Sequence, residues 1–144
     1  MKTGLFFAYL LLATVIFASC RTIAPSGPET TVRENHPLVG TWEYLHYEMG
    51  NKPPQKLPWP IIARFGADGS YLQEIRHAHR KLFQGTWAVR GKQLFLTYVE
   101  TVFTLEGKVM HRTPHAVQYL IEFPSPDRLV KYESSMIITY GRRR

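Results

Sequence analysis

The sequence predicts an all-β domain, a small up-and-down antiparallel barrel of about eight strands, carried behind a short apolar leader and a proline-rich linker. Three observations predict it. From Leu38 onward, apolar, aromatic and β-branched residues alternate with polar ones in short runs. Turn-forming residues separate the runs. No window of helical period competes with the strand pattern in this part of the chain.

The strands are expected near 38–49, 60–66, 70–77, 82–90, 93–103, 108–113, 116–123 and 128–140. The breaks between them follow from side-chain chemistry. Asp68-Gly69 tolerates the positive φ of a hairpin turn. Arg90-Gly91-Lys92 and Glu106-Gly107-Lys108 each place a glycine at a tight reversal. Pro124-Ser125-Pro126-Asp127 cannot continue a ladder. The longest connection is Gly50 to Pro60, whose prolines 53, 54, 58 and 60 are expected to stiffen it and keep it out of the sheet. A sheet of this kind exposes sticky edges unless it closes on itself. Eight strands close around just enough room for packed side chains or one small ligand.

The segment before the domain reads differently. Lys2 is followed by an uncharged apolar run, Leu5 to Ala18, which is shorter than the roughly 20 residues a spanning helix needs. Phe17-Ala18-Ser19-Cys20 closes it and resembles the lipobox of bacterial lipoproteins, with Phe17 where an aliphatic residue is more usual. The resemblance implies cleavage before Cys20, a lipid on its sulfur and a place in the bacterial cell envelope. Arg21 follows the cysteine; in the best-known sorting system an Asp there retains a lipoprotein at the inner membrane, so the resemblance favours the outer membrane. Cys20 is the only cysteine, so the domain has no disulfide to rely on. The expected organisation is a signal peptide at 1–19, a lipidated cysteine and flexible linker at 20–37, and the barrel at 38–144.

Leu38-Val39-Gly40-Thr41-Trp42 opens the domain, followed by Phe65-Gly66-Ala67-Asp68-Gly69-Ser70-Tyr71. Gly85-Thr86-Trp87 and Gln93-Leu94-Phe95-Leu96 come next, and Thr139-Tyr140-Gly141-Arg142 closes the pattern. This order of motifs resembles the bacterial lipocalin-like domains, relatives of the calycin barrels, over about residues 38 to 142. The residues support the same picture. Gly40 and Gly85 leave room for a ring over the strand, and Trp42 and Trp87 fall on one face of their strands as core plugs.

The resemblance implies binding of a small hydrophobic ligand at the envelope. An interaction module with a filled barrel, contacting another envelope protein, is the alternative. Tyr44 and His46 share a face with Trp42, and Tyr98 shares one with Leu94 and Leu96, so these are expected to line an opening. Leu57 and Trp59 in the long loop are expected to border it as a lid. His77 and His79, two residues apart, are weak candidates for metal ligation, because Arg76, Arg80 and Lys81 beside them repel a cation. No nucleophile motif or phosphate loop is present, which gives no support to an enzyme. No cofactor is implied, and export argues against a nucleic-acid partner. The net charge of +7, with Arg142, Arg143 and Arg144 at the end, reads as a solvated tail or as contact with anionic headgroups.

Cys20→Ala should move the protein from the membrane fraction to the soluble one, measured by fractionation and intact mass. Retention of an unprocessed Cys20→Ala chain, with no acyl chain on the wild type, would contradict the anchor.

Overall fold

The computed structural model describes residues 35–144; the leader, Cys20 and the linker up to residue 34 lie outside them. Eight strands follow one another: β1 Gly40–Met49, β2 Ile61–Phe65, β3 Ser70–Ile75, β4 Lys81–Arg90, β5 Gln93–Phe103, β6 Val109–Ser125, β7 Arg128–Glu133 and β8 Met136–Arg142. Each pairs antiparallel with the next, and β8 pairs with β1, so the barrel closes without a crossover. The expected fold class is therefore the observed one. Two details differ. The runs 108–113 and 116–123 form one strand, and the run 128–140 breaks into two.

Both differences have local causes. The second break falls at Ser134, which turns with φ 52° between β7 and β8. The first break fails because Pro114 sits harmlessly. Ile121 N donates to Lys92 O, so Ile121 and every second residue before it aim their backbone groups at β5. Pro114 is out of phase with them, and its missing N–H would have pointed away from β5. The pairing with β7 involves only β6 residues from Leu120 onward, so this side of Pro114 is an open edge. Proline is tolerated in such a place and blunts the edge against pairing with another chain.

Alternation then sorts the side chains. Trp42, Ala63, Phe65, Tyr71, Trp87, Leu94, Leu96, Ile121, Leu129 and Tyr140 point inward and form the buried core. Arg64, Gln84, Thr86, Thr97, Arg112 and Gln118 are exposed on the outer face. A polar exterior around an apolar interior is the reverse of a membrane-spanning barrel. Among the described residues no helix is long and apolar enough to cross a membrane.

The two ends of the barrel are built differently. The turns at 66–69, 91–92 and 126–127 gather at one end with both chain entries. This end is sealed. Trp42 is fully buried, and its indole N–H donates to Leu38 O at 2.8 Å. The Trp87 indole donates to Gly66 O at 2.9 Å. His36 wedges beneath them, its ring 5.7 Å from Trp87 and 6.2 Å from Phe123, and its Nδ1 accepts from Leu38 N. The folded domain thus begins at or before His36, inside the stretch read as linker. Gly85 is required on steric grounds and Gly40 by its φ of 136°, which side chains rarely adopt. A Cβ on Gly40 would stand 2.8 Å from the Arg142 guanidinium, and one on Gly85 would collide with the Thr97 carbonyl.

Arg142 is no solvated tail. Its guanidinium lies 4.5 Å from the Trp42 ring and donates to the carbonyls of Val39, Pro37 and Pro126. Arg143 N donates to Thr41 O at 2.8 Å and prolongs the β8–β1 pairing, while Arg144 approaches Asp127 at 3.4 Å.

Candidate functional site

The opposite end carries the long β1–β2 loop, the β3–β4 connection at 76–80, the β5–β6 turn and the β7–β8 turn. Of the residues expected to line an opening, Tyr44 does face inward. It pairs with Tyr140, and the two rings meet edge to face at 6.1 Å. His46 does not. The register of β1 against β8 shifts between Tyr44 and His46, with Leu45 as the extra residue. A bulge of one residue reverses the alternation beyond it. His46 therefore pairs with Thr139 on the outside, its Nε2 3.5 Å from Glu48, and Tyr47 takes the inward place opposite Ile138.

The loop also departs from expectation. Gln55 pairs with Tyr47 through two backbone hydrogen bonds of 2.8 and 2.9 Å, and its side chain accepts from the Tyr47 hydroxyl at 2.7 Å. The prolines flank Gln55 but leave its own N–H free to pair. Leu57 is half-buried in the same loop. Trp59 is half-buried too, but its ring partner is His77, with centroids 4.0 Å apart, rather than Tyr44. The loop is thus held at two points, by Tyr47 of β1 and by His77 of the β3–β4 connection. His77 and His79 are both exposed in that connection. Among the described residues, no group of three or more His, Asp or Glu side chains is arranged to hold a metal. Cys20 lies outside the described residues.

Tyr98 faces inward as expected. Its ring stacks on His115 at 5.1 Å and meets Phe83 at 5.5 Å and Tyr71 at 5.9 Å. Around it the interior turns polar. Lys131 is inside the barrel, its side chain only 14% exposed, with Nζ 2.8 Å from Glu133 and 4.1 Å from the Tyr119 ring centre. The Tyr71 hydroxyl donates to Gln73 at 2.9 Å. Nearer the rim, Glu100 joins Lys81 at 2.9 Å and approaches buried His115 Nε2 at 3.3 Å, off hydrogen-bond alignment. The Lys81 bond holds the Glu100 carboxyl below its ordinary value. Lys131 and Glu133 went unnoticed in the sequence, yet a signal was there. Leu129 is apolar and inward, so period two places Lys131 and Glu133 on the same face.

Among the described residues the core is tightly packed. The void at the barrel centre, between Phe65, Leu94, Ile121 and Leu129 below and Tyr71, Gln73, Lys131 and Tyr140 above, measures about 20 Å³. That is room for one water molecule. Pockets that enclose a ligand run to about 300 Å³ or more. This void is far smaller than that. The open mouth above the void is walled instead by half-buried Tyr44, Tyr47, Phe83, Tyr98 and Tyr119.

Burial shifts these groups. It is the largest cause raising the Tyr44 and Tyr119 hydroxyls, each pushed up to about 12. Tyr71 and Tyr140, deeper still, are raised as well, again chiefly by burial. Burial alone would lower Lys131, but Tyr140 and the bonded Glu133 carboxylate outweigh it and push the ammonium up to about 12.

Solved structures show the same architecture. One is a lipocalin-like protein from Bacteroides uniformis ATCC 8492, with a TM-score of 0.52 and 13% sequence identity, covering 74% of this chain and 99% of that one. The fold is lipocalin-like. The lipocalin-like barrel also matches an uncharacterized protein from Bacteroides eggerthii DSM 20697, with a TM-score of 0.51 and 12% identity over the same shares. No protein-family model matches the chain, and no curated protein does. In this lipocalin-like domain the motif residues Gly40, Trp42 and Arg142 meet in one cluster at the sealed end, and the tyrosines with Lys131 gather at the open one.

The raised tyrosines set an alkaline limit. Unfolded tyrosines ionise near 10, whereas the folded ones keep their protons longer. Stability is then full below about pH 10 and falls as pH rises through 12. Absorbance at the tyrosinate band should show the buried tyrosines ionising only as the barrel unfolds. Ionisation of all of them near pH 10, with the fold intact, would contradict the burial.

Proposed function

We propose that the chain is an envelope-anchored, lipocalin-like lipoprotein whose barrel mouth binds a small, largely apolar molecule carrying one polar or anionic group. The observation that carries the reading is the wall of half-buried tyrosines around Lys131, set above a packed apolar floor. Tyrosines offer flat apolar area at low entropic cost, with a hydroxyl for orientation. Lys131 supplies a cation whose partner, Glu133, is 38% exposed on its side chain. A ligand anion replacing Glu133 keeps Lys131 neutralised inside the barrel. The ligand rests on the mouth rather than in a chamber, because the void beneath holds only about one water molecule. The lipocalin-like fold and the tyrosine wall favour a binder over an enzyme.

The filled barrel also supports a second reading, contact with another envelope protein through the outside. Leu105, Val109 and Met110 are 78%, 47% and 53% exposed at the tip of the β5–β6 hairpin. Apolar side chains gathered at such a tip mark a contact surface.

A fluorescent probe separates the two. Anilinonaphthalene sulfonate, apolar with one anionic group, should bind the wild-type protein. Lys131→Met should weaken that binding at least about tenfold, or about 1.4 kcal/mol. The double variant Leu105→Ser, Met110→Ser should leave it unchanged. The opposite result, loss only in the hairpin variant, would contradict the mouth and favour the outer contact.

A further inference from the structure

We propose that the sealed end of the barrel rests on the headgroups of an anionic phospholipid bilayer, and that the mouth is thereby held facing away from the membrane. The proposal rests on the reading of Cys20 as the lipid anchor. Its first support is where the chain enters the domain. His36 is fixed against Trp87 and Phe123 at the sealed end, so the chain toward Cys20 leaves from there. Fifteen residue steps separate Cys20 from Asn35. Fully extended they span at most about 50 Å, and as a coil roughly 20 Å. The tether alone permits many orientations of a barrel of this size, so a second interaction must select one.

The charges at the sealed end supply it. Arg64 stands one residue before the end of β2, Arg90 ends β4, Arg128 opens β7 and Arg143 follows β8. All four side chains are exposed. They come from strands spaced around the barrel and so ring the point where the tether leaves. Apart from Glu43 of β1, the carboxylates described at the same end are already engaged. Glu122 holds Lys92 at 2.8 Å, Asp127 lies near Arg142 and Arg144, and Asp68 accepts from Ser70. Among the described residues the four arginines make no ion pair within 4.0 Å, although Arg90 lies over the Phe95 ring at 5.7 Å. Arginine suits a phosphate layer because its planar fork bonds two oxygens at once. Arg143 is held at the rim by its backbone bond to Thr41, which limits the ordering lost on contact. Each basic residue at an anionic surface adds about fivefold to the affinity.

The test uses the full-length, membrane-extracted protein in vesicles of phosphatidylcholine and phosphatidylglycerol, about three to one, with an acceptor dye on a fraction of the headgroups. A donor dye is placed by Ala67→Cys at the sealed end or by Asn51→Cys at the mouth. Intact mass comes first. Absence of acyl chains on Cys20 would overturn the anchor, and the docking with it. With the acylated protein, energy transfer should be high from position 67 and low from position 51. The difference should collapse in pure phosphatidylcholine and at high salt. The variant Arg64→Gln, Arg90→Gln, Arg128→Gln, Arg143→Gln should lower the docked fraction, as a ratio to the undocked, at least about tenfold. Equal transfer from both positions on anionic vesicles, or an unchanged ratio in the fourfold variant, would overturn the docking while leaving the anchor standing.

Discussion

Arg142 of the last strand lies over the ring of Trp42 in the first, and its guanidinium donates to the carbonyls of Pro37, Val39 and Pro126. One side chain thus ties together the chain entry, the first strand, the turn before β7 and the last strand. The backbone ladder between β8 and β1 joins the two ends of the domain, and this junction adds side-chain bonds at its sealed end. Gly40 lies beneath it with φ 136°, and a Cβ there would meet the guanidinium at 2.8 Å. The seal by Trp87, His36 and Phe123 lies beside it, since the carbonyls of Pro37 and Val39 that Arg142 holds follow His36 in the chain. Cation–aromatic contacts of this kind contribute about 0.5–2 kcal/mol, and hydrogen bonds from a charged donor about 1.5–3 kcal/mol.

From that sealed base the interior runs through a gradient. Phe65, Leu94, Leu96, Ile121 and Leu129 pack the lower half without room for more than a water. Tyr71, Gln73, Tyr119, Lys131 and Glu133 occupy the upper half and satisfy one another by hydrogen bonds and ring contacts. A buried lysine is costly without partners, so Lys131 and Glu133 belong together as one feature. The gradient explains how the same barrel can be both firmly packed and chemically equipped at its mouth.

Much of this was legible in the sequence, residue by residue. Trp42 and Trp87 announced themselves by their phase with Gly40 and Gly85, and both are buried. Tyr44 and Tyr98 were placed inward by simple alternation. His46 was misplaced because a bulge at Leu45 has no signature in the pattern; it shows only once β1 is laid against β8. The gap expected between 113 and 116 does not occur, because whether Pro114 harms the strand depends on which side is paired. Trp59 was expected to border the opening as part of a lid; its ring partner, His77, was not legible, since loop contacts depend on tertiary proximity rather than period. Lys131 was hidden by the ordinary rule that lysines are exposed, although Leu129 fixed the phase that carries it inside.

A double-mutant cycle between Trp42 and Arg142 addresses the junction most directly. The single variants Trp42→Leu and Arg142→Met and their combination would be unfolded in denaturant. The account predicts that the two losses are not additive, with a coupling of about 1–2 kcal/mol beyond the experimental scatter of independent sites. Additivity within about 0.3 kcal/mol, or an Arg142→Met protein as stable as wild type, would contradict the claim that this contact locks the sealed end of the barrel.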